Sequence, residues 1–151
     1  MRILRLGALG SALLAVAADA AAPPRTTVVQ LQPQNGSGEA GTALLLAVGR
    51  STRIVIVVAG EAAADMQPAN LHAGSCDGVE AIRYGLSDVR GGSSTTVLGI
   101  PLERLTTGRL VVDIQESPAS LHAAKDARSV SCGIIPRAQP DHETAIDSSP
   151  R

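Results

Sequence analysis

Few residues in this chain are of a type that does chemistry. The 151-residue sequence has three histidines, His72, His122 and His142, and two cysteines, Cys76 and Cys132. Imidazoles ligate metals and move protons near neutral pH, and thiolates attack electrophiles or bind soft metals, so these five side chains bound the reactions to consider. None of them stands in a motif that fixes a mechanism: there is no Gly-x-Ser-x-Gly elbow, no Cys-x-x-Cys, no His-Glu-x-x-His and no phosphate loop. Ser, His and Asp all occur, yet a triad is a matter of geometry that a sequence alone does not assign. His122, in Leu121-His122-Ala123-Ala124-Lys125-Asp126, reads as an exposed loop imidazole, and His142 with Glu143 falls in a polar C-terminal stretch. No catalytic and no cofactor-binding residue is assigned. His72 remains as a candidate metal ligand, and it stands alone where metal sites usually take three or four protein ligands.

The cysteines depend on where the chain resides. Arg2 and Arg5 precede an apolar run from Leu6 to Ala18 that is too short to span a bilayer, and Ala18-Asp19-Ala20 offers a small-x-small cleavage pattern. Residues 1–20 therefore read as a cleaved signal peptide, with Ala20-Ala21-Ala22 as a second cleavage choice. The first cysteine is Cys76, so no lipid anchor is expected at the new N-terminus. A periplasmic or secreted chain with two thiols forms a disulfide by default. Two buried free thiols, or half of a metal site, are the rival readings.

Charge and composition exclude other partners. Without Arg2, Arg5 and Asp19 the chain keeps 11 basic against 13 acidic residues, a net charge of about −2 with histidines neutral. Such a balance leaves no electrostatic footprint for nucleic acid or an anionic membrane, and with no Trp, no Phe and only Tyr84 there is no platform for stacking bases. No segment of the mature chain reads as a membrane span. The core must be built from Val, Ile, Leu and Ala.

The apolar runs are short and β-branched, and turn residues interrupt them at strand intervals. Thr26 to Leu31 reads as a strand, Asn35-Gly36-Ser37-Gly38 as a turn, and Thr42 to Val48 and Arg53 to Ala59 as a hairpin joined at Gly49-Arg50-Ser51. Asn35-Gly36-Ser37 also matches a glycosylation sequon, but in a bacterial-type exported chain it is read as a turn. Glu61 to Pro68 reads as an Ala-rich loop or helical turn, Ala69 to Cys76 as a short strand entering a loop, and Tyr84 with Leu86 as a faint edge strand. Ser94 to Ile100 is strand-like, and Pro101 to Leu105 is one helical turn closed by Gly108. Arg109 to Gln115 alternates Val112 and Ile114 against Asp113 and Gln115, the half-buried strand pattern. After a polar loop from Ser117 to Arg128, Ser129 to Ile135 forms the last strand. The pattern predicts an all-β fold, a Greek-key sandwich or flattened barrel of seven to eight antiparallel strands, over residues 21–136, with 137–151 as a disordered polar tail. The apolar strands could also face a second copy, and a strand-edge homodimer is an expectation.

The order of several segments resembles a known group. Pro68 to Cys76 (PANLHAGSC), then STTVLGIPLERLTTGRLVVDIQESP, then SVSCGII, are similar to the Cu/Zn superoxide dismutase-like superfamily, including related bacterial exported domains and the chordin-type repeat domain. The resemblance covers most of Thr26 to Ile135. It implies an intrasubunit disulfide between Cys76, which ends His-x-Gly-x-Cys, and Cys132, which opens Cys-Gly-Ile-Ile. It also implies copper and zinc held by six histidines and an aspartate, whereas this chain has three histidines in all. Asn70 stands where the first histidine of a His-x-His pair would fall, and Gln115 where a late strand would carry a copper ligand. The zinc loop is collapsed, because His72 lies four residues before Cys76. The expected function is thus an exported, non-catalytic structural or binding domain on a dismutase-like scaffold without its metal site. The other expectation is a divergent superoxide dismutase or copper-binding protein using His72 and carboxylates. A lone imidazole binds a divalent metal weakly and cannot set a copper potential as four nitrogens do. Its ordinary role would be a hydrogen bond across the sandwich or a place in solvent near the cysteines.

Overall fold

The computed structural model describes residues 25–60, 66–117 and 128–138. Eight strands follow the alternation of the sequence: β1 Thr26–Pro33, β2 Ala40–Val48, β3 Ser51–Ala59, β4 Ala69–Ser75, β5 Gly78–Gly85, β6 Ser93–Leu98, β7 Leu110–Gln115 and β8 Ser129–Ile134. One helix, α1 Leu102–Thr107, lies between β6 and β7. All pairings are antiparallel, in the order β5-β4-β7-β8-β1-β2-β3-β6. β7 enters between β4 and β8, and β1 joins the two halves by pairing with β2 along most of its length and with β8 through Gln32 and Pro33. The sheet curls on itself as a half-barrel and encloses one core, the all-β Greek-key arrangement expected.

Local chemistry explains the turns. Asn35, at φ 52°, and Gly36, at φ 74°, take the left-handed conformation that bends β1 toward β2, and Asn and Gly are the residues that tolerate it. Val48 pairs with Ser51, so Gly49 and Arg50 alone form the β2–β3 loop, with Gly49 at φ 58°. In α1 the missing Pro101 N–H costs nothing at a helix start, and Thr106 satisfies its buried hydroxyl on the Leu102 and Glu103 carbonyls. Gly108 ends α1 at φ −85°, in extended rather than left-handed backbone.

Inward positions alternate along β1, β2 and β3, placing Val29, Leu31, Ala43, Leu45, Ile54 and Ile56 in the core opposite Leu71, Val112 and Ile114. Each such side chain contributes about 1.5–3 kcal/mol by burial. Two expectations change. Gly78–Gly85 is a full edge strand rather than a faint one; it is solvent-exposed along nearly its whole length, so it carries no core pattern to read. β7 is buried on both faces rather than half-buried, with Val111 and Asp113 as inaccessible as Val112 and Ile114.

Cys76 and Cys132 are bonded, with Cα atoms 5.7 Å apart. Their strands, β4 and β8, are separated in the sheet by β7, about 9.6 Å at the usual spacing between strands. The chain leaving β4 must therefore reach over β7 to meet Cys132. The proposed signal peptide at 1–20, His122, Lys125, His142, and residues 61–65 and 139–151 lie outside the described residues.

Candidate functional site

Three neighbouring strands bring His72, Asp113 and Ser129 together. On β4, His72 pairs with Val111 and Asn70 pairs with Asp113, while on β8 Cys132 stands opposite Asp113. Residues directly opposed in antiparallel strands share a face, so Asn70, His72, Asp113 and Cys132 all project outward, away from Leu71 and Val112. Register shifts on both sides of His72, with Gly74 at φ 103°, bulge the β4–β5 ladder there. Bulges re-aim side chains. Here the ring is turned beneath β5, where Nδ1 lies 2.8 Å from the Glu80 carbonyl oxygen.

A carbonyl only accepts, so Nδ1 carries the hydrogen and donates it. The other ring nitrogen, Nε2, faces Asp113 Oδ2 at 3.8 Å, which is beyond hydrogen-bonding distance, and both atoms are buried without a partner. The second carboxyl oxygen, Oδ1, accepts a short hydrogen bond from the Ser129 hydroxyl. Burial pushes the Asp113 carboxyl above its ordinary 3.8, opposed by the Ser129 hydrogen bond, the nearby His72 and the Gln115 side chain. His72 is 4% exposed and Asp113 0%.

This order of contacts decides one chemical question. In an acyl-transfer triad the imidazole sits between the hydroxyl and the carboxylate and takes the hydroxyl proton. Here the carboxyl group sits between, and Ser129 gives its hydrogen to Asp113 rather than to His72. The trio has the residue types of a triad without its wiring.

Comparison with protein-family models, with curated proteins and with solved structures finds no match to this chain.

Metal chemistry has a different test, the supply of ligands. No group of three or more His, Cys, Asp or Glu side chains that could hold an ion occurs among the described residues. Asn70 and Gln115 flank the trio on β4 and β7, at the positions where the resemblance implies histidines. Both cysteines are consumed by their bond. The residues present therefore do not fit a two-metal dismutase centre.

A second buried polar pair went unnoticed in the sequence. Glu39 and Gln67 are both fully buried, and the Gln67 amide donates to Glu39 Oε2 at 2.8 Å, leaving Oε1 of each without a partner. Glu39 precedes β2 and Gln67 pairs with Val89 outside the main strands, so the pair ties two connections together at the edge of the core. Neither residue lies in a periodic apolar stretch, and nothing in the local sequence signals its burial. Asp113 carried only a contrary signal, since alternation in Leu-Val-Val-Asp-Ile-Gln places it toward water.

Proposed function

We propose that this chain is an exported domain that keeps a superoxide dismutase-like scaffold and works without its redox metals, as a structural or binding module of the periplasm or the extracellular space. The observation that carries this reading is the buried trio on β4, β7 and β8. There a single imidazole spends Nδ1 on a backbone carbonyl, and a hydroxyl occupies the carboxyl group beside it. A closed disulfide is in keeping with an oxidising compartment, and no helix among the described residues is long and apolar enough to cross a membrane.

One observation favours a second reading, a divergent copper- or zinc-binding protein. His72 Nε2 and Asp113 Oδ2 are both unpartnered and both offer lone pairs to the space between them. Those two atoms could serve one ion, and a third ligand would have to come from outside the described residues or from a partner chain.

A titration separates the two. The disulfide-bonded protein is titrated with Cu(II) and with Zn(II) by calorimetry, and superoxide removal is assayed on the same preparation. The first reading expects no binding tighter than micromolar and no dismutation. Sub-micromolar copper binding that His72→Ala abolishes would overturn it.

A further inference from the structure

The end of the sheet where β4 stops and β7 starts carries a groove that the buried trio does not use. Two cavities adjoin there, of about 330 Å³ and about 320 Å³, and both are bordered by Gly74, Gly108 and Arg109. The first also borders Glu80 and Arg83 of β5, and the second borders Ser75 and residues 134–137, where β8 ends. Because the strand order is β5-β4-β7-β8, the groove runs across four strands, with Arg83 on one bank, Arg109 between and Arg137 on the other. All three arginines are exposed, and none has an ion-pair partner among the described residues, whereas Arg25 is paired with Glu103 and Arg90 with Asp88. Glu80 is the one carboxylate bordering either cavity, so three cations face a single anion in a chain of formal net charge −1. Their backbones are held in place. Ile82 and Tyr84, on either side of Arg83, pair with β4, and the Gly74 N–H donates to the Arg109 carbonyl at 3.1 Å. On either side of Arg137, the Ile135 and Ala138 N–H groups donate to the Leu110 and Thr106 carbonyls.

We propose that this groove binds an extended acidic peptide segment of a partner protein, with carboxylates of the peptide on Arg83, Arg109 and Arg137. Charge complementarity is the first argument. A guanidinium offers a planar fork of donors that a carboxylate accepts with both oxygens, and backbones already fixed lose little freedom on binding. Span is the second. From β5 to β8 there are three strand spacings, about 14 Å, too far for one carboxylate or phosphate to bridge. In an extended chain alternate side chains share a face, so acidic residues at every second position cover about 14 Å in three charges. The walls between the charges are the third argument. Ile134, 61% exposed, and Pro136 give aliphatic surface for apolar side chains of the peptide, and no aromatic ring borders either cavity on which a nucleic acid base would stack. The inference takes up the binding-module reading on residues outside the trio. Metal binding at His72 would leave it intact, and a groove that binds no peptide would leave the metal-free reading intact.

Fluorescence anisotropy tests it on the disulfide-bonded protein. The probe is a fluorescein-labelled peptide of alternating Glu and Val, beside the same peptide with Gln in place of Glu. Saturable binding of the Glu peptide is expected at about 20 mM salt, weaker at about 150 mM, with none by the Gln peptide. Arg109→Gln, at the residue common to both cavities, should raise Kd about tenfold, Arg83→Gln and Arg137→Gln should raise it less, and the three together should abolish binding. Arg53→Gln, on β3 and outside the groove, removes the same charge and should leave Kd unchanged, and melting temperatures of all variants check that the fold is kept. No saturable binding at low salt overturns the proposal, as does binding that survives the triple substitution or that the Gln peptide matches. Heparin bound through the three arginines in place of the peptide also overturns it, by making the ligand a sulfated saccharide. So does peptide binding that emerges only with Asp141→Asn, Glu143→Gln and Asp147→Asn together, for the occupant would then be the chain's own C-terminal stretch, which lies outside the described residues.

Discussion

Opening the Cys76–Cys132 bond perturbs the fold at its most unusual feature, the chain that crosses β7. The two cysteines are 56 residues apart, and on the chain-entropy argument closing a loop of that length stabilises the native state by about 4 kcal/mol. For a domain of about 100 residues, each 1 kcal/mol moves Tm by roughly 4–8 °C, so losing the bond should lower Tm by roughly 15–30 °C. Cys76→Ser is the cleaner variant, because Cys76 is half-buried whereas Cys132 is fully buried and a serine there would add the cost of a buried hydroxyl. Wild type in reductant should match Cys76→Ser, and Cys132→Ser should melt lower still. The assay is thermal unfolding followed by far-ultraviolet circular dichroism, with and without dithiothreitol. Amide exchange should quicken first at the end of β4 and in β8, which the bond ties together. A loss of under about 5 °C in both the variant and reduced wild type would refute the reasoning, for it would mean that the sheet holds the crossing without the bond.

Other consequences follow from the buried polar groups and the close contacts. Burial raises the folded pKa of Asp113 above 3.8, so its contribution to stability is fully present below the unfolded pKa and is lost as pH rises through the folded value. Asp113→Asn should therefore flatten that fall. Near pH 7 it should be more stable than wild type by about 1 kcal/mol if the new amide reaches His72 Nε2, read as the difference in urea midpoints across pH; a variant that is less stable at pH 7 would count against a buried charge there. A Cβ at Gly133 would stand 2.3 Å from the Gln30 carbonyl oxygen and 2.6 Å from Val29 Cγ1, so Gly133→Ala should cost about 1–3 kcal/mol in chemical denaturation. Thr52 is fully buried and donates to the Ile100 carbonyl at 2.7 Å, so Thr52→Val should cost about 1 kcal/mol, and a neutral result would mean that water satisfies the carbonyl.

What could be read in advance followed from how locally each feature is determined. The β2–β3 hairpin was legible because Gly49 supplies the positive φ and alternation continues on both sides. The disulfide was legible because two cysteines leave only one pairing within the chain. β5 was not, because an exposed edge strand held only by β4 buries too little to impose a pattern on Gly78–Gly85. The site was least legible of all. Asp113 lies in a strand whose alternation predicts one face toward water, whereas both faces of that strand are buried by tertiary packing that the local pattern does not carry. Ser129 reaches Asp113 only because β8 pairs with β7, a register that neither segment declares alone.

The two outer faces of the sheet differ in a way that bears on function. The polar groups able to move a proton or hold an ion are buried, with His72 and Asp113 nearly or wholly inaccessible. The trio is better suited to structure: Ser129 and Glu80 hold β8 and β5 to the strands between them through side-chain bonds that the bulged ladder does not provide. The accessible face carries Val28, Val57 and Val97 among Thr, Ser and Gln, with Arg53 as the charge in the rows that β1, β2, β3 and β6 align.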